Sequence, residues 1–198
     1  MPQKTKVLII GDSISIGYTP TTQAALGDGF AVAHNEGNAE DSANLLAHLD
    51  EYLAADSDAA LVHFNCGLHD IKTAVPGDAH QVPLDRYREN LRAIVARLKA
   101  TGKPLVWATT TPIHDQRHYA THTTTFHRYL RDVLERNAVA DEIMAEAGIP
   151  VNDLHAVIAE AGVDKCVRDD GVHMTEEGSR RLGAAVARVV RERLRATG

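Results

Sequence analysis

The sequence predicts an α/β fold in three layers, α/β/α, with a five-stranded parallel sheet in a flavodoxin-like order. Three observations carry this. Five short apolar runs, rich in Val, Ile, Leu or aromatics, recur along the chain: Val7–Ile10, Phe30–Ala33, Ala59–Phe64, Pro104–Thr109 and Ile149–Val151. Each is strand-sized, and their unbroken apolar character suits strands covered on both faces. Segments with apolar residues at three- and four-residue steps lie between them, as expected for helices packed on a sheet. No repeat, low-complexity tract or linker breaks the alternation, so residues 1–198 are expected to form a single domain.

Val7–Ile10 is the first strand, and Gly11-Asp12-Ser13 follows it as a strand-to-helix turn. Phe30–Ala33 and Ala59–Phe64 are the second and third, the latter running into Asn65-Cys66-Gly67-Leu68-His69-Asp70. Leu84, Tyr87, Leu91, Ile94, Val95 and Leu98 make one helical stripe, which Gly102 stops before Pro104 opens the fourth strand. Val133, Leu134, Ala138, Ile143 and Met144 predict a further helix, ended by Gly148 ahead of the fifth strand. Leu182, Ala185, Val186, Val189, Val190 and Leu194 predict the last helix, with Thr175 as its N-cap and Gly178 near its start. In such open sheets ligands bind beyond the carboxyl ends of the strands, so the residues after each run are the site candidates.

Composition narrows the function. Of 198 residues, 44% are apolar and 24% charged, which excludes disordered and collagen-like chains. The two cysteines, Cys66 and Cys166, are too few for a disulfide framework. A formal net charge of -6 without a basic patch argues against a nucleic-acid partner. Nothing approaches the roughly eighteen consecutive apolar residues of a spanning helix, so no membrane partner is expected. Val7–Ile10 is too short for a signal-peptide core, and a cytoplasmic location is the expectation. Eleven histidines direct the search towards polar chemistry.

Three strand-end motifs carry that chemistry. Ser13, at the turn after the first strand, suits a nucleophile, because the helix N–H groups beside it would face an anion formed there. The same Gly11-Asp12-Ser13 equally suits an N-cap by Asp12 or Ser13. It matches neither a dinucleotide fingerprint nor a P-loop. After the third strand, Gly67 permits a sharp turn, from which His69 could offer an N–H to a substrate oxygen; a plain turn capped by Asp70 fits too. Before the last helix, Asp170 stands three residues ahead of His173, where its carboxylate can hold the ring's Nδ1–H and leave Nε2 as a base. Asp169 and Asp153 are competing acids.

Together these motifs resemble the SGNH hydrolases, the GDSL esterases and lipases, over roughly residues 5 to 195. Gly11-Asp12-Ser13 matches the family's first block. Gly67-Leu68-His69-Asp70 matches the Gly-x-Asn-Asp of the third block with one change, and Asp170-Gly171-Val172-His173 matches the last. The resemblance implies an esterase that needs no metal and no cofactor. Ser13 would be the nucleophile, His173 the base and Asp170 the orienting acid. The substrate would be a small-molecule or carbohydrate ester, with a short acyl or O-acetyl group. An acyltransferase using the same acyl-enzyme, or a catalytically weakened binding protein, is the alternative outcome.

Two departures from the family concern the oxyanion. Its second block reads Asn-x-Gly-x-x-Gly-Asp-Thr, and the second glycine donates a backbone N–H. Here the stretch is Asn35-Glu36-Gly37-Asn38-Ala39-Glu40-Asp41-Ser42, so Glu40 takes the glycine's place. The donor is then the N–H of Glu40, or a turn shifted to Gly37 or Asn38. His69 replaces the family's asparagine, and a neutral imidazole can donate one hydrogen if a neighbour holds its other nitrogen. His114, His118, His122 and His127 cluster after the fourth strand. The first three are four residues apart, so one helix face could hold them, but Asp115 is off that spacing and no H-E-x-x-H occurs. A polar segment rimming the site is expected there rather than a metal.

Overall fold

A computed structural model describes residues 3–121 and 125–197. The chain runs β1 (Thr5–Ile10), α1 (Ser13–Leu26), β2 (Phe30–His34), α2 (Ser42–Ala55), β3 (Leu61–Phe64), β4 (Thr73–Ala74), α3 (Leu84–Ala100) and β5 (Leu105–Ala108). It continues through α4 (Asp115–Thr121), β6 (Phe126–His127), α5 (Leu130–Ala147), β7 (Val151–Asn152), α6 (Leu154–Ala161), α7 (Val163–Cys166) and α8 (Glu176–Thr197). Five strands form one parallel sheet in the order β2-β1-β3-β5-β7. Counted within the sheet this is 2-1-3-4-5, the flavodoxin-like order that the sequence predicts.

The apolar runs explain the layers. Side chains alternate across a strand, so Val7 and Ile9 enter one apolar cluster and Leu8 and Ile10 the other. All four are fully buried, each contributing roughly 1.5–3 kcal/mol relative to exposure. On the first face lie α1, α6 and α8, through Ile14, Tyr18, Ile158, Leu182 and Val186. On the second lie α2, α3 and most of α5, through Leu45, Leu49, Leu91, Ile94 and Ile143. Thr175 caps α8 as expected, its Oγ1 accepting the N–H of Gly178 at 3.2 Å. No described helix is long and apolar enough to cross a membrane.

Three expectations change. The ladder begins at Leu61 and Leu105, not at Ala59 and Pro104, and the last strand is Val151–Asn152 rather than Ile149–Val151. In α5, Leu134 and Ala138 face outwards, while Arg136 and Asn137 are buried with Val133, Ala140, Ile143 and Met144. The helix turns its polar residues inwards because they bond to neighbouring loops. The third is an addition: β4 and β6 pair antiparallel in a separate two-stranded ribbon. Two residues per strand are too few to show an alternating pattern.

Candidate active site

The site forms at the carboxyl edge of the sheet, where β1 and β3 lie side by side and their following loops converge. Asp12 is the N-cap of α1, its Oδ1 accepting the N–H of Ile14 at 2.9 Å. Ser13 is therefore released from capping. It is the first residue of α1, and its own N–H is among those with no acceptor inside the helix. Its Oγ lies 2.9 Å from Nε2 of His173. On the ring's far side, Nδ1 lies 2.8 Å from Oδ2 of Asp170. The other Asp170 oxygen accepts the N–H groups of Val172 and His173, each at 2.8 Å. A carboxylate on Nδ1 places the ring's hydrogen there and leaves Nε2 to accept from Ser13. Partial burial pushes the Asp170 carboxyl up, but the two N–H groups and the imidazole outweigh it and hold it below the usual range.

Neither competing acid holds the ring. Asp153 caps α6, accepting the Ala156 N–H at 2.9 Å and the Thr109 hydroxyl at 3.0 Å. Asp169 is exposed. A second serine–histidine pair, Ser15 Oγ to His34 Nε2 at 2.7 Å, is no rival. Ser15 is buried, and its hydroxyl already donates to the Asp12 carbonyl at 2.7 Å.

The loop after β3 brings His69 to the same cavity. Gly67 has φ 136°, and a Cβ there would stand 2.9 Å from Thr110 Oγ1, so only glycine lets the loop pass. His69 is nearly buried. Burial, with Lys72 and Arg128 adding to it, lowers its pKa to about 3, so the ring is neutral at working pH. Its Nδ1 is buried without a hydrogen bond among the described residues, which leaves Nε2 as the nitrogen open to the cavity. The expected neighbour holding the second nitrogen is therefore not found. Asp70 turns the other way, accepting the Ser42 N–H and hydroxyl and fixing this loop to the start of α2. Burial pushes the Asp70 carboxyl up to about 6, against the pull of Ser42.

Glu40 has φ 56° and is the one non-glycine residue with positive φ among those described. It thus holds the left-handed backbone that favours glycine, at the position where the family's second block carries one. Its N–H donates to Asn38 Oδ1 at 2.8 Å. Gly37, also at positive φ, precedes Asn38, and it is Asn38 that lines the cavity. This turn is tied to the first motif, since Gly11 N–H donates to Asn35 Oδ1 and Ala39 N–H to the Gly11 carbonyl.

The cavity has a volume of about 420 Å³ and is walled by Ser13, His173, His69 and Asn38 together with Lys72 and Arg128. Sequence reasoning missed Lys72, Arg128 and Phe126, which also lines it. The histidine cluster disperses. His114 precedes α4 and meets Asp164 at 3.0 Å, His118 is buried with Nδ1 3.3 Å from the Asp170 carbonyl, and His127 stacks on Tyr119. His122 lies outside the described residues. Among the described residues no group of His, Cys, Asp and Glu side chains is arranged to hold a metal ion.

A sequence model of the GDSL-like lipase/acylhydrolase family matches residues 9–181. No curated protein matches the chain in sequence. Among solved structures, a lipase/acylhydrolase from Enterococcus faecalis is similar with a TM-score of 0.78 at 22% identity, over 96% of this chain and 97% of that one. Est24, a carbohydrate acetylesterase from Sinorhizobium meliloti, gives 0.74 at 17% identity, over 96% and 99%. An acetyl xylan esterase, AlAXEase, gives 0.74 at 16% identity, over 93% and 99%. At these identities the likeness is one of fold.

Proposed function

The chain belongs to the GDSL-like lipase/acylhydrolase family, and on that premise we propose that it is a serine hydrolase cleaving carboxylic esters through an acyl-enzyme. The observation that carries the reading is the chain of contacts from Ser13 Oγ through His173 to Asp170, opening on one cavity. Ser13 Oγ attacks the acyl carbon as its proton passes to His173 Nε2. The tetrahedral intermediate collapses, His173 returns that proton to the leaving alcohol, and Ser13 is left acylated. Water, deprotonated by the same nitrogen, then releases the acid. Asp170 stabilises the imidazolium that forms in each half.

The oxyanion is bound by the Ser13 N–H, by the His69 ring through Nε2–H, and by a donor from the turn that Gly37 and Glu40 shape. The Glu40 N–H becomes available when Asn38 Oδ1 releases it. Gly67 serves by letting His69 approach. We take the acyl group to be short, an O-acetyl ester on a carbohydrate being the leading case. The printed activities of Est24 and of the acetyl xylan esterase support that choice. We read residues 1–198 as one domain, since both apolar clusters share one sheet.

A fluorophosphonate probe and 4-nitrophenyl acetate test this. The wild type should be labelled and should release nitrophenolate, and Ser13→Ala should do neither. The variant should stay folded, within about 1 kcal/mol, because Asp12 and not Ser13 caps α1. Turnover retained by Ser13→Ala would remove the covalent mechanism.

A further inference from the structure

We infer that Lys72 and Arg128 form an anion-binding subsite beside Ser13, so that the ester taken by this site carries a negative charge, a carboxylate or phosphate, on its alcohol portion. The inference rests on the ester-hydrolase reading and adds the chemistry of its substrate. It starts from the ribbon. The β4–β6 register pairs Thr73 with His127 and Ala74 with Phe126. Lys72 precedes Thr73 and Arg128 follows His127, so the two cations flank that pair at one end of the ribbon. Like charges set across a ribbon repel, so this arrangement costs stability unless something between them is negative.

Four carboxylates act on the two cations from a distance, Glu40, Asp41 and Asp12 on Lys72 and Asp12 and Asp170 on Arg128, but among the described residues none of them forms an ion pair with either side chain. Arg128 is nine-tenths buried, and its Nε donates to the Leu68 carbonyl at 2.8 Å. Both cations lie over the ring of Phe126, with Arg128 at 4.9 Å and Lys72 at 5.6 Å from its centroid. Such contacts offset part of the cost of burying charge but do not neutralise it. Neither side chain is ion-paired with a carboxylate among the described residues. Residues 122–124 are His, Thr and Thr, with no acid to offer. Several other arginines are ion-paired, Arg88 with Glu142, Arg92 with Glu146 and Arg117 with Asp164. Asp170 is engaged by His173, while Asp12 bonds the α1 N-terminus through Oδ1 and leaves its buried Oδ2 without a hydrogen bond among the described residues. Burial lowers the pKa of both cations, that of Arg128 to about 10, at which its guanidinium is charged at neutral pH. On a protein with net charge -6, Lys72 and Arg128 set two positive groups on the wall of the reactive cavity, where an anionic ester would meet them. With a short acyl group, the charge belongs on the alcohol.

The test uses acetyl esters that differ in charge but hardly in shape. These are 3- and 4-acetoxybenzoate against the matching acetoxybenzamides, with 4-acetoxyphenyl phosphate to separate phosphate from carboxylate. Wild type should prefer an anionic ester over its amide by about tenfold or more in kcat/KM. The ratio should shrink in high salt, in Lys72→Gln and in Arg128→Gln, and stay unchanged in Arg97→Gln, on the exposed face of α3. Preference for either anion supports the inference. A ratio near one, or one that survives Lys72→Gln and high salt together, overturns it, and these arms do not depend on the buried arginine variant folding. Calorimetry separates this failure from that of the hydrolase reading. With no ester turned over, selective binding of 4-hydroxybenzoate over 4-hydroxybenzamide would sustain the subsite and remove the hydrolase, and equal or absent binding would remove the subsite too. Equal turnover of both esters would do the reverse, leaving a hydrolase without the subsite.

Discussion

His69 stands where the family carries asparagine, and its surroundings decide what it can donate. Asparagine has a fixed N–H₂ group, whereas imidazole has one movable hydrogen. With the ring neutral down to about pH 3 and Nδ1 shut away from the cavity, the hydrogen on Nε2 is the one of use to an oxyanion. His69→Ala should lower kcat about 10²–10³-fold with little change in KM, since the bond forms mainly with the oxyanion. The loss should be uniform from about pH 5 to 9, because the ring does not titrate there. His69→Asn should recover most of it. Steady-state kinetics across pH checks both, and wild-type kcat in His69→Ala would leave the oxyanion to backbone groups alone. Ser13 shows the same dependence on neighbours: its hydroxyl is at the disposal of His173 because Asp12 takes the cap.

Among elements, α5 departs most from a simple amphipathic helix. Its stripe announces an apolar face, but Asn137 lies on that face and forms two buried bonds to Thr110, accepting its N–H at 2.8 Å and donating to its carbonyl at 2.9 Å. Arg136, fully buried, donates to His80 Nδ1 at 3.1 Å and to the Val82 carbonyl at 3.1 Å. His80 Nε2 faces Asp132 at 3.2 Å. The helix therefore anchors both the end of β5 and the segment before α3. Asn137→Ala should destabilise by about 2–4 kcal/mol, because the Thr110 N–H and carbonyl are left buried and unpaired. Leu134→Ala, on the exposed side, should cost well under 1 kcal/mol. Denaturant midpoints of the two variants check the contrast. The periodicity announced the helix; it could not announce Arg136 and Asn137 as interior residues, since their partners lie far away in sequence.

For the whole molecule, the buried histidines set the response to acid. Burial lowers the pKa of His63 and of His69 to about 3, against about 6.5 when unfolded. Below that value the unfolded chain binds protons that the folded one refuses. Stability is therefore fully present above about pH 6.5 and falls as pH drops towards 3, at up to about 1.4 kcal/mol per pH unit for each ring. Asp70 opposes this. Its carboxyl, raised to about 6, gives stability that is present below its unfolded value near 3.8 and is lost as pH rises to about 6. Two histidines outweigh one aspartate, so urea unfolding at pH 7.5, 6 and 5 should show falling stability. His69→Asn should flatten the decline, and Asp70→Asn should steepen it. Constant stability over that range would mean that these side chains are hydrated in the folded protein.

The sheet, its order and the three motifs that meet at its edge were legible in the residues alone. Unbroken apolar runs and helical stripes are local signals, written in residues that must leave water whatever else the chain does. The placement of Ser13, His69 and His173 after β1, after β3 and before α8 follows once that order is known. It took the folded chain to select Asp170, over Asp153 and Asp169, as the acid that reaches the His173 ring, and to turn Asp70 to Ser42 and away from His69. Folding alone brought Lys72 and Arg128, from distant parts of the sequence, to one cavity wall beside a ribbon two residues long. Polar side chains in loops carry no period. Where they point is set by the path of the chain and by which buried donors and acceptors must be matched, and those are properties of the folded whole.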